Sequence, residues 1–414
     1  MVPLKRSQGL PFDELITLIA SRPVYIFGAG EIALAVLLSL KKSGIKCAGF
    51  LNTQHQPKNA HQFGLKVITP EALFEANNPA FIVIASQAFL AQAQEICEKY
   101  GYQNHRDYLS FHHISRPEVV IDVVEDINLF NGDKLSWPAD FNPKYMSVSR
   151  YQKVIDKLCN DQPNMTKVNL AEWGDALWHP ELAKVIHITQ SKEVICSIKT
   201  YLLELTQLHA LASKSPLVLN ISVIGGEQYY AQYLGGQAWP QLLANIVRLG
   251  ELLQQAHHQT QVIVRYAPMR RDSAADKATL KALCVKYHFS WMIEDAYIMP
   301  YERLLDVLSD DSARLNSLSM VREVPWDVAK WTQVSRQDAD NSCLPQRIFP
   351  VVNFDESVGI CHVYKQAIVA NNVLELSREA LLEQRGNCQQ CVKCQSFGMH
   401  RLDLHVLKRR YPNE

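Results

Sequence analysis

Hydrophobic positions in this chain switch repeatedly between two spacings. Residues 23–30, PVYIFGAG, form an apolar run ending in a Gly-x-Gly turn, and EIALAVLLSLKKSG then repeats apolar positions at helical spacing, which reads as strand, turn and helix. A second strand at 47–52, the segment LKVITPEAL, and a third strand at 80–86 before the helix AQAQEICEKYG continue the strand and helix alternation of a parallel α/β sheet. This first domain is expected to span 1–115.

From 118 the alternation begins again. VVIDVVEDINL (119–129) reads as a strand, SVSRYQKVIDKLCN as a helix, and TKVNLAEWG as a strand. HPELAKVIHITQS then reads as a helix opening with Pro180 at its first position and Glu181 in its first turn, both favoured there. EVICSIKT, TYLLELTQLHALASK, LVLNISVIGG and the long helix around WPQLLANIVRLGELLQQAHH add two more strand and helix units. QVIVRYAPM, ATLKALCVKYH and SWMIEDAYI bring the total to about six. Six short, mostly apolar strands with helical connections predict an incomplete (β/α)6 barrel over 116–330, with its functional end at the strand C-termini. After 330 the pattern gives way to a polar stretch, a hairpin-like segment, one helix (SREALLEQRG) and a cysteine run. This 331–414 extension has too little core to fold alone and needs a staple or docking.

Composition narrows the class. The chain has 414 residues, with 42 Lys and Arg against 42 Asp and Glu, 47% hydrophobic and 20% charged positions. That excludes disorder, collagen-like repeats and a coiled-coil rod, and the length predicts two or three domains. Zero net charge argues against nucleic acid as a partner, since that affinity rests on neutralising phosphates. No run of about 18 apolar residues is present and the N-terminus lacks a signal-peptide core, so a cytoplasmic protein is expected, with no membrane partner.

Cysteine placement is uneven. Cys47, Cys97, Cys159, Cys196 and Cys284 lie singly among apolar neighbours, as small core hydrophobes do. Cys343, Cys361, Cys388, Cys391 and Cys394 crowd the C-terminal end, three of them in CQQCVKC. Closely spaced thiols in a reducing compartment point to metal before disulfide, and soft thiolate tetrads suit iron–sulfur clusters and zinc alike.

GAGEIA, Gly28 to Ala33, fits G-x-G-x-x-A between strand and helix, where backbone amides and the helix N-terminus can hold a phosphate. Gly28, Gly30 and Ala33 are therefore candidate nucleotide contacts. The second strand ends in Leu51-Asn52-Thr53 and lacks the acidic residue that grips a ribose in dinucleotide sites, which argues against NAD. Through IFGAG, GFLN and VIAS this quarter of the chain resembles the Rossmann-like N-terminal domain of sugar-nucleotide acetyltransferases and related polysaccharide-pathway proteins.

A second set of motifs follows one order along the barrel. VNLAEWGDALWHPEL (168–182) resembles the GGEPLLHPEL segment of the radical S-adenosylmethionine superfamily, with Gly174 kept, Asp175 in place of Glu, Ala176 in place of Pro, and His179-Pro180-Glu181 matching outright. YMSVSRYQKVIDKL (145–158) resembles the helix before it, and LNISVIGGEQYYAQYLGGQAWPQLLANIVRL (219–248) and VIVRYAPMRRD (262–272) resemble later segments. The resemblance implies a radical S-adenosylmethionine type of barrel. Trp173, Gly174, Asp175 and Ala176 would then offer backbone contacts to the amino acid moiety of S-adenosylmethionine, and Ser222 and Arg265 side-chain contacts to ribose or carboxylate.

One departure is decisive for the chemistry. The family's first loop carries three cysteines as C-N-L-x-C-x-x-C, which hold a 4Fe-4S cluster and leave one iron open for the cofactor. Here that place reads INLFNGDK, and alignment on Asn128-Leu129 puts Ile127, Asn131 and Lys134 at the ligand positions. A hydrocarbon, an amide and an ammonium cannot replace thiolates. Three readings follow. The barrel is a binding or accessory component in a biosynthetic or modification pathway, partnered by a biosynthetic enzyme or a peptide or sugar substrate. Alternatively it is an enzyme using S-adenosylmethionine or a nucleotide-linked substrate by polar chemistry, with Asp133, Lys134 and Asp175 as candidate catalytic groups. Thirdly, the first domain makes it a nucleotide-sugar sensor. The C-terminal segments CLPQRIFPVVNFDESVGIC and CQQCVKC resemble the SPASM or twitch extension of the same superfamily. That likeness implies one auxiliary 4Fe-4S cluster, or zinc, on four of the five cysteines, first choice Cys343, Cys361, Cys391 and Cys394.

Overall fold

The chain is an α/β protein built on two largely parallel sheets. Its computed structural model describes residues 22–53 (except 29), 61–76, 79–86, 89–114, 117–125, 142–295 (except 257), 323–337, 351–386 (except 362 and 363) and 388–401, with isolated positions at 17, 19, 302, 304 and 305. Two compact units result, one of residues 1–117 with 162–167 and 193–195, the other holding the rest.

The first unit contains β1 (Val24–Phe27), α1 (Glu31–Lys42), β2 (Cys47–Leu51), β3 (His61–Gln62), β4 (Leu65–Ile68), α2 (Pro70–Glu75), β5 (Phe81–Ile84), α3 (Leu90–Lys99) and β6 (Tyr108–Ser110). Its strand order is β3-β4-β2-β1-β5-β6, and β1 pairs in parallel with both β2 and β5. Successive strands run outward from β1 on one side and resume at β5 on the other, so the carboxyl end of β1 is the switch point of a doubly wound sheet. Two hydrophobic clusters cover the faces. One gathers Val24, Ile26, Val36, Leu40, Phe50 and Phe81; the other gathers Phe27, Leu51, Ile82, Ile84, Phe74 and Tyr108. The alternation of these residues along β1 and β5 is what sends them to opposite faces.

The second unit contains β7 (Glu118–Ile121), α4 (Val148–Asp161), β8 (Lys167–Leu170), α5 (Leu182–Ser191), β9 (Ile195–Thr200), β10 (Leu217–Ile224), α6 (Glu227–Tyr233), α7 (Ala238–Gln255), β11 (Thr260–Ala267), α8 (Ala274–Tyr287) and β12 (Ser290–Ile293). The sheet runs β12-β11-β10-β9-β8-β7 in sequence order, and β9 through β12 pair in parallel. Sequential order belongs to an opened α/β barrel, whereas a doubly wound sheet reverses. Helix α4 buries Tyr151, Val154, Ile155 and Leu158, four positions on one helical stripe, each contributing about 1.5–3 kcal/mol of apolar burial. The Tyr151 hydroxyl and the Thr189 hydroxyl of α5 share a 2.5 Å hydrogen bond, which satisfies the one polar atom that stripe brings inside.

Beyond the barrel strands lie α9 (Val328–Gln337), β13 (Val351–Val352), β14 (Val358–Cys361), β15 (Tyr364–Ala370), α10 (Arg378–Gly386) and α11 (Gln389–Ser396). β13 pairs in parallel with β7, and β14 and β15 continue the sheet antiparallel. The C-terminal hairpin is therefore docked onto the barrel's first strand, extending one nine-stranded sheet.

Three local expectations are corrected. Helix α5 begins at Leu182, after Pro180 and Glu181. The buried His179 ring sets that start, because its Nε2 faces the Met146 carbonyl at 2.8 Å and its Nδ1 accepts the Glu181 amide at 3.1 Å. Segment 201–212 is a looped connection with one 3-10 turn, Leu208–Leu211. Side chains take the backbone groups that a helix would have used: the Tyr201 amide goes to Asp175, and the Leu202 and Leu203 carbonyls go to Asn245 and Gln241 of α7. Strand β7 ends at Ile121, because the chain after it turns to hold the segment described next.

Candidate functional site

At and near the carboxyl ends of β7 to β12 lie the charged side chains Asp122, Glu172, Lys199, Arg265 and Glu294. Asp122 follows β7 directly and is 3% exposed. Its Oδ1 accepts three successive amides, Glu172 at 2.5 Å, Trp173 at 3.1 Å and Gly174 at 3.4 Å. Its Oδ2 is buried and has no hydrogen-bond partner. Burial pushes the Asp122 carboxyl up to about 6 against those amides, with the Glu172 charge adding to the rise. Gly174 closes the same junction, since a Cβ there would stand 2.5 Å from the Val124 carbonyl oxygen. Only glycine permits so close a backbone crossing.

Asp175, one residue on, is fully buried and fully engaged. Its Oδ1 accepts the Leu177 amide at 3.0 Å, and its Oδ2 accepts the Thr200 hydroxyl at 2.8 Å and the Tyr201 amide at 2.9 Å. Burial again raises its carboxyl to about 6. Asp175 thus caps the turn at Ala176 and ties it to the end of β9, and Ala176 is buried beneath it.

Next to this clamp a row of polar side chains shares one face of the sheet. In register, Asn220 of β10 faces Lys199 of β9, and Ser222 of β10 faces Arg265 of β11. Arg265 donates through Nε to the Asn220 side-chain oxygen at 2.6 Å, and Asn220 donates to Ser197 at 3.1 Å. The Arg265 guanidinium also meets Glu294 at 3.4 Å, and Lys199 meets Glu172 at 3.5 Å. Burial pulls the Lys199 ammonium down, but Glu172 together with Tyr201, Glu294 and Asp122 more than offsets it, so Lys199 is held above the ordinary lysine value. Both ion pairs are long and part-exposed, so they add little to stability; they leave charges of both signs available to a polar ligand.

In the first unit Gly28 and Gly30 sit at the switch point of the sheet. Gly28 has φ +121° and a Cβ there would lie 2.8 Å from the Ala85 carbonyl oxygen. Gly30 caps α1 in extended conformation with no side-chain cap, Glu31 occupies the first turn, and Ala33 is buried in the core. Glu31 puts a carboxylate rather than a cation at the helix entry.

Ile127, Asn131, Asp133, Lys134 and Cys343 lie outside the described residues. Cys361 ends β14, Cys388 precedes α11, and Cys391 and Cys394 lie on α11. Among the described residues, no three His, Cys, Asp or Glu side chains are grouped to hold a metal ion. Cys47, Cys97, Cys196 and Cys284 are buried and Cys159 is half-buried. No helix among the described residues is long and apolar enough to cross a membrane.

Of the site residues expected from sequence, the structure brings Trp173, Gly174 and Asp175 to the clamp and Ser222 and Arg265 to the polar row. Asp122, Glu172, Lys199, Asn220 and Glu294 were not foreseen. Their signal was available as polar residues at alternate positions of otherwise apolar strands, Ser197 with Lys199 and Asn220 with Ser222.

No protein-family model and no curated relative matches the chain. Among solved structures it is similar to Streptococcus suis SuiB bound to S-adenosylmethionine, with TM-score 0.42 and 11% identity over 69% of this chain and 70% of that one. It is also similar to native anSMEcpe with bound AdoMet, with TM-score 0.40 and 11% identity over 71% and 95% of the two chains. A third similar structure is BtrN in complex with AdoMet and 2-DOIA, with TM-score 0.33 and 12% identity over 69% and 89%. At these values the likeness concerns general architecture and says nothing of activity.

Proposed function

We propose that this chain is a diverged, radical-S-adenosylmethionine-like binding component that holds an adenosyl ligand at its strand ends and generates no radical. The observation that carries the reading is the in-register row Lys199–Asn220 and Ser222–Arg265. It places hydroxyl, amide and cationic donors on one face, beside a segment held in place by Asp122 and Asp175. Ser222 and Arg265 would meet the ribose or carboxylate of S-adenosylmethionine, the ligand implied by the sequence resemblance, and the 172–176 segment would line its amino acid end.

Within that reading Asn220 is a positioning residue. By accepting from Arg265 Nε it fixes the plane of the guanidinium. The loop with Ile127, Asn131 and Lys134 supplies no thiolate, and reductive cleavage of a sulfonium needs an electron from a cluster. An auxiliary iron–sulfur or zinc site on the C-terminal cysteines, also implied by resemblance, takes no step here. The role is that of an accessory component in a biosynthetic or modification pathway.

Calorimetry with S-adenosylmethionine tests the reading. Binding that falls at least tenfold in Arg265→Ala supports it; no binding to the wild-type chain refutes it. The sensor reading through Gly28 and Gly30 has no second feature that selects a nucleotide.

A further inference from the structure

We infer that Asp122 is the anchor for a protonated amine on the ligand of the barrel mouth, an inference that rests on the binding reading above. Three observations lead there. First, Asp122 presents its two oxygens differently. Oδ1 is saturated by the amides of Glu172, Trp173 and Gly174, so the carboxylate cannot rotate to share donors between its oxygens. Oδ2 is left buried without a partner, although a carboxylate oxygen can accept two hydrogen bonds. A buried acceptor left unpaired is unfavourable, the more so when charged, so a donor arriving with the ligand recovers that cost.

Second, the surrounding charge selects the sign of that donor. Asp122, Glu172 and Glu294 oppose Lys199 and Arg265, three carboxylates against two cations. Glu172 is paired with Lys199 and Glu294 with Arg265, whereas Oδ2 of Asp122 has no partner. Among the described residues the carboxylate left over is Asp122, and a ligand ammonium neutralises it.

Third, a metal ion is a poor occupant. Among the described residues no three carboxylate, imidazole or thiolate groups are arranged around a common point. An organic cation needs only one anchoring oxygen with a directed N–H bond, which is what Asp122 offers. The ligand class is therefore an amine that also carries an anionic or hydroxylated part for Arg265 and Ser222.

The test compares S-adenosylhomocysteine, which carries the amine, with its deaminated analogue, which keeps the carboxylate and the adenosine. Binding of each to the wild-type chain and to Asp122→Asn is measured by calorimetry at pH 7.5. The Asp122→Asn change keeps an oxygen acceptor for the three amides while removing the charge, and circular dichroism and urea midpoint confirm that the variant is folded. The expected result is at least tenfold tighter binding of the amine-bearing ligand to the wild type, collapsing to within twofold in Asp122→Asn, with the deaminated analogue unchanged between the two chains. Equal binding of both ligands to the wild type overturns the amine assignment while the adenosyl reading stands. Discrimination that persists in Asp122→Asn also overturns it. Binding of neither ligand overturns both.

Discussion

The side chain of Asp122 and the backbone of Trp173 are joined by a 3.1 Å hydrogen bond, which locks the residue after β7 to the segment after β8. With the Glu172 and Gly174 amides on the same oxygen, the two strand ends behave as one piece. The candidate site is thus organised by a carboxylate that touches backbone on one side and offers an unused oxygen on the other.

The closeness of that junction predicts the effect of Gly174→Ala. The added methyl would meet the Val124 carbonyl oxygen at 2.5 Å, a backbone atom that cannot step aside. Overpacking of this kind costs about 1–3 kcal/mol, read as a lower urea midpoint at unchanged slope. Gly236→Ala is the control, since nothing lies within 4 Å of its Cβ position, and it should shift stability by under about 0.5 kcal/mol.

Asp122 and Asp175 predict an unusual pH dependence. Both carboxyls are raised by burial from 3.8 to about 6, so the folded chain binds more protons than the unfolded chain between those values. The stabilisation these groups give is full below about pH 4 and is lost as pH rises through about 6, by up to about 3 kcal/mol each at 1.36 kcal/mol per unit. Stability measured by urea from pH 4 to pH 7 should fall less steeply in Asp122→Asn than in the wild type. An identical slope would show that Asp122 titrates normally.

Thiol reactivity should divide the cysteines into two groups. Burial raises the thiol of Cys47 to about 11, of Cys97 to about 12, of Cys196 to about 12 and of Cys284 to about 11, which leaves little thiolate at pH 8. Cys388 and Cys391 are half-buried. Brief iodoacetamide treatment of the native chain, followed by peptide mass spectrometry, should label Cys388 while those four stay unmodified. Labelling of Cys196 would contradict the packing of β9.

Asn220 should matter through Arg265. Asn220→Ala removes the acceptor of the 2.6 Å bond from Arg265 Nε and leaves the guanidinium plane less firmly fixed. The expected loss is three- to tenfold in S-adenosylmethionine affinity, about 0.7–1.4 kcal/mol at 1.4 kcal/mol per tenfold, smaller than for Arg265→Ala. A larger loss would mean that Asn220 touches the ligand itself.

The strand and helix rhythm of the two sheets was legible because apolar runs such as Leu217–Ile224 and Val24–Phe27 are short and bounded by turn residues. The connection after β9 was not, since YLLELTQLHAL carries helical spacing but loses its backbone groups to Asp175, Asn245 and Gln241, residues distant in sequence. Ser222 and Arg265 were found by motif likeness, whereas Lys199 and Asn220 showed only as polar residues in apolar strands until register set them opposite one another. Asp122 read as one polar residue in an apolar strand. Its meaning depends on three amides far along the chain, those of Glu172, Trp173 and Gly174, which no local pattern records.

On the proposed reading, this barrel keeps an adenosyl ligand while lacking the means to break it. The most direct measurement incubates anaerobically prepared protein with S-adenosylmethionine and dithionite and quantifies both bound ligand and free 5′-deoxyadenosine. The predicted result is binding that is lost in Arg265→Ala and no 5′-deoxyadenosine above a protein-free control. Release of 5′-deoxyadenosine in proportion to the protein would contradict it, because a chain with Ile127, Asn131 and Lys134 at the ligand positions could not then be without a radical-generating centre.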